Sequence, residues 1–156
     1  YKDGKIFFCH GYNINGVMLQ LSDDLKSVSV VWRTDVLDTH HGGYVEVNGT
    51  IYGSNWINNN QGNWCAIDWN TGAKGYETTW TGGKGKGSII AADGMLYCYD
   101  ERRGAVALVN PDPAKFDIVS EFRITKGVGP HWAHPVIVNG VLYIRHGFAL
   151  MAYKMK

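Results

Sequence analysis

The residues of this chain most suited to chemistry are its six histidines and the aromatic and charged side chains near them. The histidines stand at positions 10, 40, 41, 131, 134 and 146. An imidazole titrates near neutral pH, donates or accepts hydrogen bonds, and binds zinc or copper. Trp56 and Trp132 supply indole rings, and Lys86 and Arg102 supply positive charges. Like the histidines, these four residues stand in segments that connect predicted strands. Such residue types together are typical of a site that binds a ligand or a partner.

A metal centre formed by His40, His41 and His131 is an alternative use of these histidines. Neighbouring side chains on an extended backbone point in opposite directions, so we expect His40 and His41 to diverge. The sequence therefore predicts no metal at this site.

Two other chemistries are disfavoured. The segment at 82–87, GGKGKG, precedes a predicted strand and opens no helix, whereas nucleotide phosphates are usually bound at a helix N-terminus. No Gly-x-Ser-x-Gly segment supplies a nucleophilic serine. The carboxylate pairs Asp23–Asp24 and Asp100–Glu101 belong to opposite ends of the repeats described below. We expect them to be solvated turn residues and not the converging ligands that calcium requires.

The composition disfavours two classes of partner. The chain has 156 residues, 45% of them apolar, and a formal net charge of +1. It contains no basic tract, so we expect no binding to nucleic acid or to an anionic membrane surface. No apolar run reaches about 18 residues, the length of a membrane-spanning helix. The cysteines at positions 9, 65 and 98 have no Cys-x-x-Cys spacing and are expected to be buried free thiols.

A repeat of about 45 residues organises the chain. Four of the five Asn-Gly or Asp-Gly dipeptides are followed by Ile or Leu two residues after the glycine and by Phe or Tyr three residues after it. The glycines stand at 4, 49, 94 and 140, so the intervals are 45, 45 and 46 residues. These dipeptides favour tight hairpin turns, because both residues tolerate positive φ.

Each period contains four predicted strands, called A to D in chain order, with the glycine turn between A and B. This is the plan of a β-propeller blade. The sequence predicts an all-β fold of 14 strands in about three and a half blades, forming a single partial propeller. The predicted blades are strands B to D in 1–34, complete blades in 35–81 and 82–125, and strands A to C in 126–156. Residues 34–43 are predicted to be a polar connection, and the D strands of the complete blades are predicted at 76–80 and 118–124.

The strand plan predicts that the histidines share one face of the ring. Adjacent strands of a blade run antiparallel, so the D–A and B–C connections lie on the same face, which we call the loop face. Strand A is innermost, so residues that precede it are expected at the mouth of the central channel. The predicted ligand-binding residues on the loop face are His10, His40, His41, Trp56, Lys86, Arg102, His131 and Trp132.

Residues 66–72, AIDWNTG, followed by Trp80, resemble the PQQ-like β-propeller repeat. Its third strand runs Ala-x-Asp-x-x-Thr-Gly and its fourth ends in a docking tryptophan. Residues 133–144, AHPVIVNGVLYI, are similar to its first two strands, and Trp32 matches the docking tryptophan of the preceding blade. The interval from the Asp to the Trp is longer than in the family pattern, and Phe122 replaces the third docking tryptophan. The chain resembles the C-terminal half of such a ring.

The resemblance implies an eight-bladed propeller of an exported bacterial type, located in the periplasm, at the cell surface or outside the cell. Family members include quinoprotein dehydrogenases, the lipoprotein of the outer-membrane assembly machinery, and propellers without assigned chemistry. The dehydrogenases carry adjacent cysteines beside the cofactor, and this chain has none. We therefore expect a non-catalytic binding or scaffold module without a cofactor. The alternative is a fragment of a PQQ-dependent dehydrogenase that binds PQQ with calcium.

The expected partner on the loop face is a small molecule, a glycan or a peptide, and another protein is a further candidate. The first blade lacks strand A and the last lacks strand D. Unpaired strand edges readily accept another chain. The sequence thus predicts a homodimer in which two copies of four blades close one ring.

Overall fold

The computed structural model describes residues 1–155, which form four antiparallel sheets. The strands are β1 (Lys5–Cys9), β2 (Gly16–Leu21), β3 (Val28–Thr34), β4 (Tyr44–Val47), β5 (Thr50–Ser54), β6 (Trp64–Asp68), β7 (Lys74–Thr78), β8 (Gly87–Ala92), β9 (Met95–Asp100), β10 (Ala105–Asn110), β11 (Asp117–Arg123), β12 (Val136–Val138), β13 (Val141–His146) and β14 (Ala149–Lys154). The prediction of 14 strands is confirmed. Lys156, the last residue of the predicted fourth blade, lies outside the described residues. Within the described range, no helix has the length and apolar character needed to cross a membrane.

The sheets follow one another along the chain, each with its strands in sequence order. The first contains β1 to β3, the second β4 to β7, the third β8 to β11 and the fourth β12 to β14. The two middle sheets are complete blades, and the outer two have three strands each. This arrangement is the predicted partial propeller.

One turn type produces the period. Asn48, Asp93 and Asn139 have φ values of 52°, 51° and 50°, and the glycine after each has φ of 83°, 73° and 72°. Two successive residues with positive φ define the type I′ turn, whose twist matches that of the flanking strands. Asp3 and Gly4 adopt the same pair of conformations before β1. Each A–B hairpin is therefore fixed locally by its dipeptide.

Three apolar cores hold the sheets together, one between each pair of neighbours. Ile51 and Ile67 of the second sheet pack towards Met18 of the first, whereas Tyr52 faces the third. Strands of the middle sheets are thus apolar on both faces, because successive side chains point to opposite sides. The third core joins Tyr99 of β9 to Leu142 of β13, among others. Stacking of neighbouring blades accounts for burial that a single sheet cannot achieve.

The aromatic residue three positions after each turn glycine packs between sheets in three of the four repeats. Phe7 and Tyr52 are buried, and Tyr97 is partly buried in the third core. Tyr143 is 36% exposed because it lies on the outer face of the fourth sheet. This position therefore packs between blades in the first three repeats and is open in the last.

Docking tryptophans join consecutive blades. The Trp32 indole lies over Gly72, where an added Cβ would come within 2.6 Å of the ring. Gly72 also has a positive φ of 71°, so the Thr-Gly turn needs glycine for two reasons. Trp80 packs against Trp64 and Phe116 and donates its indole N–H to Glu121 at 2.9 Å.

Three sequence predictions need correction here. The D strands span 74–78 and 117–123, not 76–80 and 118–124. In β7 the chain leaves the ladder before the docking residue Trp80, whereas Phe122 remains paired within β11. The predicted polar connection at 34–43 is partly inside the core. Leu37, Asp38 and Thr39 are buried, and Leu37 belongs to the core between the first two sheets. The connection therefore passes between two blades instead of lying in solvent.

Apolar side chains are exposed on the outer faces of the first and last sheets. Phe8 and Val30 are 49% and 51% exposed on the first sheet. Val136 and Leu150 are 52% and 69% exposed on the last. The positions of the inner sheets that correspond to Phe8 and Leu150 are buried by the neighbouring blade.

Candidate functional site

The D–A and B–C connections meet on one face, as the strand plan predicts. The Tyr12 hydroxyl lies 2.8 Å from His40 Nε2. The backbone N–H of Trp56 donates to the Asp38 carbonyl at 2.9 Å, and that of His131 donates to the Glu101 carbonyl at 3.2 Å. Each contact joins a connection before strand A to one after strand B. Rigid sheets thus hold distant segments side by side on the loop face.

A cleft of about 410 Å³ opens on this face. Its volume is in the range of small-molecule sites. The lining residues are Tyr12, His40, His41, Asn59, Lys86, Glu101, Arg102, Pro130 and Trp132. Five of the eight predicted site residues are therefore brought together here.

Two other cavities contain fewer charged side chains. One of about 510 Å³ is lined mainly by polar loop residues around Asn63, with the exposed Lys84. Another of about 370 Å³ lies between Trp80 and Phe116, with Lys115 as its ionisable residue. The described parts of these hollows contain no buried ion pair, so the loop-face cleft is the stronger candidate.

A buried ion pair forms the floor of the cleft. Lys86 Nζ lies 2.6 Å from Glu101 Oε1, and the two residues are 3% and 7% exposed. The ammonium group also donates to the carbonyls of Asn58 and Asn59 at 3.1 and 3.2 Å. All three N–H donors of the lysine are thereby used. The other carboxylate oxygen, Oε2, lies 3.1 Å from Nε2 of His41.

The sequence prediction that Asp100 and Glu101 are solvated is wrong. Asp100 is fully buried, and its Oδ2 accepts the backbone N–H groups of Arg102 and Arg103. Desolvation raises the pKa of the Asp100 carboxyl above its usual value. The turn after β9 folds inward because Lys86 compensates the charge of Glu101 and the two backbone N–H groups bind Asp100 Oδ2 inside the protein. Asp100 Oδ1 and Glu101 Oε2 are buried and have no hydrogen-bond partner among the described residues.

The pKa of His41 is lowered from its usual value, chiefly because the ring is partly desolvated. The negative charge of Glu101 acts in the opposite direction but does not dominate. His41 is therefore neutral at pH 7, and its single N–H faces the carboxylate when Nε2 carries the proton.

Aromatic rings form a continuous series along the loop face. Ring centroids are 4.9 Å apart for Trp56 and Tyr12, 4.9 Å for Tyr12 and His40, and 4.7 Å for His40 and His41. Trp132 follows at 5.1 Å from His41. The expectation that His40 and His41 diverge is wrong, because the connection bends at these residues and is not extended. Tyr12 and Trp132 remain 51% and 57% exposed.

His131 lies beneath the cleft instead of lining it. Its ring stacks on His146 with centroids 3.6 Å apart, and its Nδ1 lies 2.5 Å from the Tyr99 hydroxyl. Desolvation, with a smaller effect of His146, lowers the pKa of His131 to about 4. Gly104 makes room for this stack, since an added Cβ would overlap the His131 ring.

His146 ties a loop to β13. Its Nδ1 and Nε2 each lie 2.7 Å from a carbonyl oxygen, those of Lys126 and Gly129. A carbonyl oxygen only accepts hydrogen bonds, so a ring nitrogen bonds to it when that nitrogen carries a proton. The His131 ring stacks on this imidazole.

The remaining predicted residues are at the margin of the cleft. His10 is exposed, with its ring 6.3 Å from that of Tyr12. Trp56 is partly buried behind Tyr12. His134, which is not among the predicted site residues, contacts the carbonyl of His41 through Nε2 at 3.0 Å. None of these three residues lines the cleft.

The described residues do not fit calcium-bound PQQ. Among residues 1–155, no three His, Cys, Asp or Glu side chains are grouped closely enough to hold a metal ion. Both oxygens of Glu101 already face Lys86 and His41. Burial raises the pKa of Cys9 to about 11, and the pKa values of Cys65 and Cys98 are also raised, which leaves these free thiols protonated.

The predicted set lacks four lining residues, Tyr12, Asn59, Glu101 and Pro130, and Glu101 is the charged one among them. Its signal was Lys86, which stands in a glycine-rich segment directly before β8. Gly85 and Gly87 have no side chains to lift the loop away from the sheet, so the lysine between them is buried. A buried lysine requires an anionic partner, and β9 of the same hairpin ends one residue before Glu101.

No protein-family model matches the chain, and no curated protein matches it. Among solved structures, the chain is similar to BamB from Moraxella catarrhalis, with a TM-score of 0.60 and 14% sequence identity. The similarity covers 94% of this chain and 48% of that chain, so this chain spans about half the length of its structural neighbour. BamB is a β-propeller, and the likeness together with the four stacked sheets shows that this chain has a β-propeller fold.

Proposed function

We propose that this chain is a non-catalytic binding or scaffold module of the PQQ-like propeller type, which binds a ligand or protein partner on the loop face. The observation that supports the proposal is the loop-face cleft. Residues from connections within and between the sheets line it, and the Lys86–Glu101 pair forms its floor. Binding residues commonly lie on loops that a rigid scaffold positions.

The ion pair supports a role in shaping the site. A buried ion pair adds little stability compared with apolar residues of similar volume. Lys86 and Glu101 nevertheless connect three segments of the loop face through the carbonyls of Asn58 and Asn59 and the ring of His41. We infer that the pair fixes these segments for binding.

The proposal is tested by screening small molecules against the ¹⁵N-labelled protein by NMR. We expect ligands of the loop face to shift the indole N–H resonance of Trp132, which the Trp132→Ala variant identifies. The indole of Trp80 is buried and serves as the control, because it should not respond. Failure of every compound to move the Trp132 resonance would count against a small-molecule site.

We further propose that the parent protein is exported to the periplasm or the cell envelope. The support is the resemblance of residues 66–72 and 133–144 to PQQ-like repeats, together with the structural likeness to BamB. Fractionation of cells that express the full-length protein tests the location. Recovery in the cytoplasmic fraction would contradict it.

The alternative proposal, part of a PQQ-dependent dehydrogenase, is favoured by Trp132, whose exposed ring is able to stack on a flat cofactor. It is opposed by the poor fit of the described carboxylates and thiols. Incubation with PQQ and Ca²⁺ followed by gel filtration separates the two proposals. Stoichiometric retention of the chromophore would replace the binding module with the dehydrogenase.

A further inference from the structure

We propose that the loop-face cleft binds a sugar ring of a saccharide, with His41 accepting a hydrogen bond from one of its hydroxyl groups. This inference rests on the proposed function and specifies its ligand. The residues that carry it are His41, fixed by Glu101, the exposed ring of Trp132, and the donors at the rim of the cleft.

The Glu101 carboxylate beneath His41 influences which ring nitrogen of His41 carries the proton. Its Nε2 lies 3.1 Å from Glu101 Oε2, an oxygen that has no partner in hydrogen-bond geometry among the described residues. The negative charge of that oxygen favours the tautomer with the proton on Nε2, which leaves the lone pair on Nδ1. Among the described residues, Nδ1 has no hydrogen-bond partner, and it is not among the buried polar atoms that lack one. The ring therefore offers an accessible acceptor to the cleft. A neutral hydroxyl is a suitable donor to it.

The charge of Glu101 is already balanced, which disfavours a cationic ligand. Lys86 lies 2.6 Å from one carboxylate oxygen, and both residues are more than nine-tenths buried. A ligand ammonium would add a second cation to a compensated pair. An uncharged donor matches the site without that penalty.

Flat surfaces and hydrogen-bond donors complete the match to a sugar. Trp132 and Tyr12 line the cleft and are 57% and 51% exposed, so the apolar side of a sugar is able to pack on their rings. Arg102 donates one N–H to the Asn60 carbonyl at 2.9 Å, and its exposed guanidinium has further donors for hydroxyl oxygens.

A peptide matches the described lining less well. Pro130 is the sole aliphatic residue in the described lining, whereas peptide side chains are usually anchored in apolar pockets. The lining also comes from loops instead of an unpaired strand edge, so strand addition is not favoured. Aromatic rings alternate here with imidazole and guanidinium groups, as suits a ring bearing several hydroxyls.

Calorimetric titration with maltotriose and with trigalacturonate tests the inference, using a neutral and an acidic sugar of equal length. We expect saturable binding of at least one trisaccharide. The variants Trp132→Ala and His41→Phe should each weaken it by about tenfold or more, through loss of the ring platform and of the acceptor. Phe148→Ala is the matched control, because Phe148 is exposed on another connection and does not line the cleft.

The positioning role of the ion pair has a separate readout. In the double variant Lys86→Met with Glu101→Met, we expect the ¹⁵N shifts of His41 to change from a single tautomer to a mixture, with weaker binding. Thermal unfolding shows whether the variant folds. A folded variant with an unchanged His41 tautomer would overturn the role of Glu101.

The outcomes separate this inference from the proposed function. If neither trisaccharide binds while other compounds shift the Trp132 indole resonance, the saccharide is wrong and the binding face stands. If binding occurs but is unchanged in both Trp132→Ala and His41→Phe, the sugar binds elsewhere and the inference fails. If no compound of any class shifts Trp132, both proposals fail.

Discussion

The charged side chains of Lys86 and Glu101 are buried, and this burial determines how the protein responds when one of them is removed. Lys86 and Glu101 are nearly solvent-free and lie 2.6 Å apart. Each ion has lost its hydration, and the pair recovers that loss through mutual attraction and the surrounding hydrogen bonds. Removal of one partner leaves the other buried and unpaired.

The first prediction concerns the difference between removing one partner of the ion pair and removing both. We expect Lys86→Ala to lower the free energy of unfolding by about 3–5 kcal/mol. The double variant Lys86→Met with Glu101→Met should lose much less, because no uncompensated charge remains. Urea unfolding of both variants measures the difference. Equal losses would show that the charge of Glu101 is not responsible.

The second prediction is a pH dependence due to His131. Its pKa falls from an ordinary 6.5 to about 4 in the folded protein, so the folded state resists protonation. The unfolded chain takes up a proton near pH 6.5 and the folded chain does not. The contribution of this residue to stability is therefore complete above pH 6.5 and is lost as the pH falls towards 4.

Urea unfolding of the wild type and of His131→Asn between pH 8 and pH 4 measures that contribution. We expect the difference in unfolding free energy between them to shrink as the pH falls through this window. A difference that is constant with pH would contradict the lowered pKa.

At the scale of elements, the connections between blades pack against the neighbouring blade. Trp80 lies just beyond β7, yet it is 2% exposed and packs against Trp64 and against Phe116 of the next sheet. The resemblance to PQQ-like repeats predicted a docking tryptophan, but not that the strand would end before it. The strand end depends on the neighbouring blade, which no local pattern encodes.

The third prediction compares two tryptophans. We expect Trp80→Ala to cost about 3–5 kcal/mol of stability, because a large buried side chain is removed between blades. Trp132→Ala should change stability by less than about 0.5 kcal/mol, since its ring is 57% exposed. Denaturant unfolding measures both. A similar loss in the two variants would mean that Trp132 packs more tightly than its exposure indicates.

The fourth prediction concerns the loop held by His146. Replacement by Met removes both ring nitrogens that contact the carbonyls of Lys126 and Gly129. We expect faster amide hydrogen exchange at residues 126–130, with unchanged exchange in the distant strand β6. Arg145→Met is the control, because Arg145 is exposed and its side chain is not among the hydrogen bonds to this loop. Exchange that is unchanged in the loop would show that other contacts hold it.

At the scale of the whole molecule, the two outer faces are the outstanding feature. Four sheets are stacked, but the first and last each leave one apolar face uncovered. Repeat proteins bury such faces by adding neighbours. The chain also corresponds to 48% of its structural neighbour, which is close to the share that two equal halves would each supply.

The fifth prediction is that two copies close one ring of eight sheets, four from each copy. Light scattering over a dilution series should give twice the monomer mass. Leu150→Lys, on the outer face of the last sheet, should weaken the dimer by placing a charge in the interface. Phe148→Lys is the control, because Phe148 lies in the turn between β13 and β14. A wild-type monomer at every concentration would contradict closure by a second copy.

The sequence by itself determined the repeat, the turns and the number of strands. These features are local: Asn48-Gly49 fixes a hairpin through its own positive φ values, and alternation of apolar residues follows from the geometry of a strand. The gathering of His40, His41, Lys86, Arg102 and Trp132 followed from strand direction alone, because antiparallel strands place alternate connections on the same face.

Only the tertiary structure decided which of these residues are buried and how they are paired. Glu101 reads as a turn carboxylate, and His131 as a residue of the channel mouth. Their burial depends on Lys86 in one case and on His146 in the other, across 15 residues of sequence in each case. Burial and charge compensation are set by contacts between segments, so a pattern read along one segment does not contain them.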